Sequence, residues 1–226
     1  MITIEKTDIY GWEAAVRGMR NPMNSWDKMD STYNVIYEYC SNDDLTLTAT
    51  PRLQFEAGKN DLALMTKLAK AGPDHGKFLR FIDVSVDITA PLYWWKEFDT
   101  YKIGTVANSC STMHKIHEKE FQLSDFSHEH LYSTLGESFE AMDCLEMIVE
   151  LLNKYREKYL ETKDKFWWWQ MIQLLPSSYN QKRTVQLNYA VLKNMYHARK
   201  SHKLDEWHDF CAWVETLPYA KELIID

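Results

Sequence analysis

The sequence is poor in the residues that break regular structure, with 7 glycines and 6 prolines in 226 residues, about half the share of an average soluble chain. Taken with 45% hydrophobic residues, that shortage excludes a disordered chain and disfavours a turn-rich all-β fold. Cysteine is scarce as well. Cys40, Cys110, Cys144 and Cys211 stand far apart without a CxxC pair, so neither a disulfide framework nor a zinc ribbon is signalled, and reduced thiols in a cytoplasm are expected. Positive charge is in deficit: 26 Lys and Arg against 33 Asp and Glu give a formal net charge of -7. No global field then draws a nucleic-acid polymer or an anionic membrane, and an anion has to be met by a local pocket. No run approaches the roughly 18 apolar residues of a membrane span, and the N-terminal MITIEKTDIYGW has no apolar core of signal-peptide length. A soluble cytoplasmic protein is expected, as one domain over residues 1–226.

Aromatic residues, by contrast, are abundant at 14%, with nine tryptophans. Several cluster, as in Trp94-Trp95 and Trp167-Trp168-Trp169, and such clusters need a buried site, a subunit interface or a stacked ring ligand. Along the chain, Ile2 to Ile9 reads as a strand, Trp12 to Arg20 as a helix, and NPMNSWDKMDS as a loop. Leu45 to Phe55 alternates like a strand, and Leu62, Met65, Leu68 and Ala69 recur at helical spacing until Gly72-Pro73. Ile82, Val84, Val86 and Ile88 alternate with Asp83, Ser85, Asp87 and Thr89, the clearest strand pattern present. An aromatic helix is expected over Tyr93 to Tyr101, then a polar loop, GTVANSCSTMHK. Phe139, Met142, Leu145, Val149, Leu152 and Tyr159 form the stripe of a long helix from Glu137 to about Thr162, and further helices are expected over about Lys182 to Lys200 and Asp205 to Leu217. The order predicts an α+β fold, a small mixed sheet with a helical half.

The chemical motifs are mostly negative. GxSxG, Walker, HExxH and GxGxxG patterns are absent, which removes the sequence support for the common hydrolase, P-loop, zincin and Rossmann readings. His114-x-x-His117 and His128-x-His130 lack a third ligand at a readable spacing, so no metal site is assigned. Cys110 lies between two serines in a polar loop and becomes a nucleophile only if a cation lowers its pKa. The segment HARKSHK places Arg199, Lys200 and Lys203 with His197 and His202 near the end of a helix in an acidic protein. That position complements the helix dipole, and it also suits a guanidinium that offers a planar fork of donors to a carbonyl, phosphate or heterocycle.

Read in order, these segments resemble the flavin-dependent thymidylate synthases over roughly Leu62 to Thr112 and Tyr159 to Ile224. Gly72, Pro73, Asp74 and His75 precede the Phe78 to Ile88 strand as the family's Gly and Ser-Pro-x-Glu-His element precede its strand. Pro91-LYWWKEF then leads to Thr100-Tyr101-Lys102-Ile103-Gly104-Thr105-Val106-Ala107-Asn108-Ser109-Cys110-Ser111-Thr112-Met113, where the family has Arg-His-Arg-x-x-Ser-x-Asn-Glu-x-Ser-x-Arg-Tyr. The Arg-His-Arg is replaced by Thr100-Tyr101-Lys102, and a one-residue gap aligns Asn108 and Ser111. In the C-terminal half, Asn188 follows Pro176 by 12 residues and Arg199 follows Asn188 by 11, spacings of the family. Glu206-Trp207 resembles its Gln-Trp, while Ala190 and Ile172 stand where the family has arginines, with Gln170, Gln173, Lys182 and Arg183 nearby.

The resemblance implies a homotetramer that binds FAD and a pyrimidine nucleotide between subunits. NADPH would reduce the flavin and methylenetetrahydrofolate would supply the carbon that methylates dUMP. By resemblance, Arg199 is the catalytic residue and contacts the pyrimidine carbonyl edge, with Asn108 and Ser111 also on the substrate. His75, Tyr101, Lys102, Thr105 and Asn188 would contact the cofactor. Two classes remain: an active flavoenzyme on a pyrimidine nucleotide, and a non-catalytic or altered-substrate nucleotide- or flavin-binding relative acting as an oligomeric binding protein.

Overall fold

A computed structural model describes residues 2–41, 47–132 and 140–226. The elements in chain order are β1 (Thr3–Tyr10), α1 (Trp12–Arg20), β2 (Thr32–Ser41), β3 (Leu47–Glu56), α2 (Lys59–Lys70), β4 (Asp83–Pro91) and α3 (Leu92–Phe98). They continue with β5 (Val106–Ser109), α4 (Thr112–Lys115), α5 (Ala141–Thr162), α6 (Lys165–Leu174), β6 (Asn180–Asn188), α7 (Tyr189–Arg199) and α8 (Asp205–Glu215). The chain divides into two compact units, one of Met1–Asp8, Ser85–Leu187 and Ala198–Trp213, the other of Ile9–Val84, Asn188–His197 and Val214–Asp226. The α+β class expected from the sequence is borne out.

The first unit carries a four-stranded sheet in the order β1-β4-β6-β5, with β5 antiparallel to β6 from Val106↔Gln186 to Ser109↔Arg183. Alternation in β4 is as expected: Val86, Ile88 and Ala90 are buried while Ser85, Asp87 and Thr89 are half-buried. The helix expected from Lys182 is corrected, because Asn180–Asn188 is a strand and α7 begins only at Tyr189. Gln181, Val185 and Leu187 point inward at the period of 2 that defines a strand, and the Lys182-Arg183 pair between them obscures it in the sequence. Trp94, Trp95 and Phe98 of α3 are fully buried with Trp207 and Phe210 of α8, so the first tryptophan cluster is core. A second apolar cluster joins Leu145, Val149 and Leu152 of α5 to Met171 of α6, Ile116, Phe121 and Phe126. Glu137 and Phe139 of the expected long helix lie outside the described residues, as do Leu45 and Thr46 of the expected strand.

The second unit packs α1, α2 and α7 with the β2–β3 hairpin, whose register runs from Thr32↔Glu56 to Ser41↔Leu47. Trp12, Ala15, Val16 and Met19 of α1 are buried at helical spacing, and Trp12 stacks on Phe55 at 4.9 Å. Gly11 opens that helix at φ +86°, and a Cβ there would meet the Phe81 carbonyl oxygen at 1.8 Å, so only glycine fits.

The loop after α1 is fastened by charge. Asp30 caps α2 by accepting from the Asn60 and Asp61 amides at 2.8 and 2.9 Å. Asp61 in turn accepts from the Asp30 and Ser31 amides, at 3.0 and 2.9 Å, and from the Ser31 hydroxyl at 2.7 Å. Its other oxygen takes both Nε and Nη2 of Arg20, at 2.7 and 2.6 Å. Arg20 is 3% exposed and Asp61 not at all. Burial raises the Asp61 carboxyl pKa, but the hydrogen bonds from Ser31, Asp30 and Arg20 together outweigh it and hold the group below its ordinary value. A depressed folded value means that this contribution to stability is complete above the unfolded pKa and is lost as pH falls through the folded one. Arg20→Met keeps the stem but leaves the carboxylate without its cation. It is expected to cost roughly 3 kcal/mol at neutral pH and to move acid unfolding to higher pH, as measured by urea denaturation across a pH series; a variant as stable as the parent contradicts the assignment.

Candidate functional site

The site in the first unit starts from α3. Its N-terminus is held by the Leu92 and Tyr93 amides, which donate to the Tyr179 and Ser177 carbonyls at 3.0 Å each. The buried face, Trp94, Trp95 and Phe98, leaves Glu97 on the opposite side, half-exposed near the helix C-terminus. Glu97 Oε2 accepts from Arg199 Nη1 at 2.8 Å and from Trp207 Nε1 at 3.0 Å, with His202 Nε2 at 3.2 Å. Arg199 Nε donates to the Tyr101 hydroxyl at 2.8 Å. The guanidinium lies 4.8 Å from the Trp207 ring centroid and 5.4 Å from that of Tyr101, within cation–π range. Its remaining nitrogen, Nη2, has no hydrogen bond among the described residues. Next to this cage, the Tyr93 hydroxyl meets the buried Glu206 carboxylate, and burial followed by that carboxylate pushes the Tyr93 pKa well up.

Arg199 and Tyr101, both singled out in the sequence, therefore come together. Thr105 is half-buried and its hydroxyl donates to the Tyr101 carbonyl; Lys102 is exposed on the same turn, which Gly104 passes at φ +78°. Asn108 sits on the exposed strand β5 opposite Thr184. Ser111 caps α4 by accepting from the His114 amide at 3.0 Å and lines a cavity of about 660 Å³ with Cys110, Lys119, Arg156, Tyr179 and Lys182. Arg199 is not among the residues lining it. Arg183 lies over the Trp95 ring at 4.2 Å and pairs with Asp99 at 2.8 Å, so its charge is met within the protein.

In the second unit, Asn188 accepts from the Val191 amide at 3.1 Å and caps α7. His75 is exposed and lines a cavity of about 1090 Å³, whose walls include Met19, Leu64, Leu68, Phe78 and Lys77. Gly72 and Pro73 border a smaller cavity of about 310 Å³ with Asn194 and His197 of α7. Among the described residues no group of three or more His, Cys, Asp or Glu is placed to hold a metal ion, and none of their helices is long and apolar enough to cross a membrane. Glu97, Lys119 and Arg156 escaped the sequence reading. Glu97 is hidden in an aromatic helix 102 positions from Arg199, and no local pattern marks such a pair.

No known family pattern matches the sequence, and no curated protein is detectably similar to it. In structure the chain is similar to thymidylate synthase X from Helicobacter pylori, solved with FAD and dUMP, with TM-score 0.65 and 16% identity over 99% of this chain and 97% of that one. A second structure of the flavin-dependent thymidylate synthase from that organism, also with FAD and dUMP, gives TM-score 0.63 at 16% identity, again over 99% and 97% of the two chains. The UMP/dUMP methylase PolB from Streptomyces cacaoi, bound with 5-Br UMP, gives TM-score 0.59 at 14% identity over 100% and 94%. The fold is that of the flavin-dependent thymidylate synthases from end to end, as the order of motifs implies.

The cage also bears weight. Trp207 is fully buried, so removing its acceptor leaves an indole N–H without a partner. Glu97→Ala is expected to destabilise by roughly 2 kcal/mol, and Glu97→Gln, which keeps an acceptor, by less. Thermal denaturation of the two variants measures this, and equal losses contradict it.

Proposed function

We propose that this protein is a flavin-dependent enzyme that transfers a one-carbon unit to carbon 5 of a pyrimidine nucleotide of the UMP/dUMP class. The observation that carries the reading is the end-to-end likeness to structures that hold FAD and dUMP, or a UMP analogue, with Arg199 held by Glu97 and Tyr101 through Nη1 and Nε. FAD reduced by NADPH supplies reducing equivalents, and methylenetetrahydrofolate supplies the carbon. Residues present fit the ring of such a cofactor: the cavity beside His75 has apolar walls, Met19, Leu64, Leu68 and Phe78, with Lys28 and Lys77 balanced by Asp27 and Asp74, and apolar walls suit a flat ring. By the resemblance, His75, Tyr101, Lys102, Thr105 and Asn188 are assigned to the flavin, and Asn108 and Ser111 to the nucleotide.

The chemistry asked of the chain is charge stabilisation. As carbon 5 becomes nucleophilic, negative charge gathers on the pyrimidine carbonyls. Arg199, fixed in direction by Glu97 and Tyr101, donates from Nη2 to that edge without reorganising. Carbon 5 would form a bond to the one-carbon unit as that unit's carbon–nitrogen bond to the folate breaks, the proton on carbon 5 would leave, and a hydride equivalent from the reductant would complete the methyl group. A homotetramer in the cytoplasm is part of the proposal, supported by the exposed apolar side chains Tyr33, Val35, Tyr37 and Leu53 on the hairpin. Light scattering that returns the monomer mass of 26.8 kDa at micromolar concentration contradicts it.

Arg199→Lys keeps the charge but loses the planar fork. Turnover is expected to fall by roughly 10² or more, with flavin content unchanged. A colourless parent whose melting temperature ignores added FAD refutes the flavoenzyme reading. Flavin binding combined with equal turnover and nucleotide affinity for parent and variant leaves a binding protein in which Arg199 is structural.

A further inference from the structure

The cavity bordered by Gly72 and Pro73 carries chemistry that neither the Arg199 cage nor the flavin assignment uses. Ala190, Lys193, Asn194 and His197 recur along α7 at helical spacing, and together they line one wall of this space of about 310 Å³. The other walls are Ala69 near the end of α2, Gly72, Pro73, and Gly76, Leu79 and Arg80 of the turn Gly76–Phe81. Ala69, Pro73, Leu79 and Ala190 make much of the surface apolar, and no acidic side chain lines it. Every one of these residues belongs to the second unit.

Lys193 is the unusual group there. It is half-buried, and its ammonium, with three donors to place, makes one long hydrogen bond, 3.4 Å to the Leu223 carbonyl. The carboxylate nearest to it in charge, Asp226, is 3.6 Å from Lys70 and shared with that cation. Burial, followed by the Lys70 charge, holds the Lys193 amine below the usual lysine range, and Asp226 offsets this only in part. More of the amine is then uncharged, and so nucleophilic, at neutral pH than in an exposed lysine. His197, one turn further along the same face, gives its Nε2 hydrogen to the Ile224 carbonyl at 2.9 Å, which leaves Nδ1 as the unprotonated nitrogen of the neutral ring. Arg80 is exposed, and its guanidinium makes no hydrogen bond or ion pair among the described residues.

We propose that Lys193 is a covalent binding site for a small aldehyde that carries an anionic group, held as an imine, with Arg80 meeting the anion. The uncharged amine attacks the aldehyde carbon as the carbonyl π pair moves to oxygen. His197 Nδ1 takes the proton shed by nitrogen and returns it to that oxygen, and both amine hydrogens leave with the oxygen as water. A carbon–nitrogen double bond replaces the carbon–oxygen one, so neither an oxidant nor a reductant is consumed. The volume of about 310 Å³ is at the small end of the range for small-molecule sites. The site stands apart from the flavoenzyme reading, which gives Lys193 and Arg80 no part.

The experiment treats the purified full chain with 4-formylbenzoate or benzaldehyde and cyanoborohydride, which fixes an imine as a secondary amine, and reads every lysine by peptide mass spectrometry. Lys193 is expected to be labelled by 4-formylbenzoate faster than any exposed lysine, at a rate that saturates with aldehyde, and more slowly by benzaldehyde, which lacks the anion. Arg80→Gln, at an exposed position, should fold as the parent does and raise the half-saturating concentration of 4-formylbenzoate roughly tenfold, the usual loss for one charge-assisted contact. Lys70→Gln should slow labelling, because it leaves Asp226 to hold Lys193 as the ammonium. Labelling of Lys193 no faster than that of the exposed lysines overturns the proposal, as does equal labelling by benzaldehyde, or labelling unchanged in either variant. Added FAD that blocks the labelling of Lys193 gives the cavity to flavin and overturns it too. Preferential labelling indifferent to FAD upholds it, whether the protein is coloured or colourless, so its fate and that of the flavoenzyme reading are separately read.

Discussion

One carboxylate oxygen, Oε2 of Glu97, collects Arg199, Trp207 and His202 within 2.8 to 3.2 Å, and the chemistry of the first unit depends on that convergence. A guanidinium beside aromatic rings in a half-buried place is expensive to desolvate unless an anion meets it. Glu97 meets it, and the same oxygen satisfies the indole of a fully buried tryptophan. Because Tyr101 holds Nε and Glu97 holds Nη1, the plane of the guanidinium is set before any ligand arrives. Preorganisation of this kind separates a catalytic donor from a merely nearby charge.

In the cage, positive charge is balanced and aimed, which suits a neutral heterocycle whose carbonyls become anionic only during reaction.

How much of this was legible depended on sequence distance. A helix around Trp12 to Arg20 was readable, and the alternation of β4 was plain, because both patterns are local and have one buried face. The segment Asn180–Asn188 was misread because its inward residues are interrupted by Lys182 and Arg183, whose stems and charges are accommodated by partners elsewhere in the chain: Glu5, Asp87 and Asp99. Strand β2 escaped notice because Tyr33, Val35 and Tyr37 are exposed, leaving no buried stripe to detect. At the site, Arg199 and Tyr101 were found by motif spacing, but Glu97 was not, nor were Lys119 and Arg156, which the fold alone places in one cavity.

The central claim is that the caged guanidinium promotes reaction at carbon 5 of a pyrimidine nucleotide. Release of tritium from dUMP or UMP labelled at carbon 5, with FAD, NADPH and methylenetetrahydrofolate present, tests it directly, because the proton at that carbon must leave for a new carbon bond to persist. Release by the parent protein that depends on the reductant and falls roughly a hundredfold in Arg199→Lys is the predicted result. A flavin-loaded protein that binds the nucleotide yet releases no tritium would contradict it.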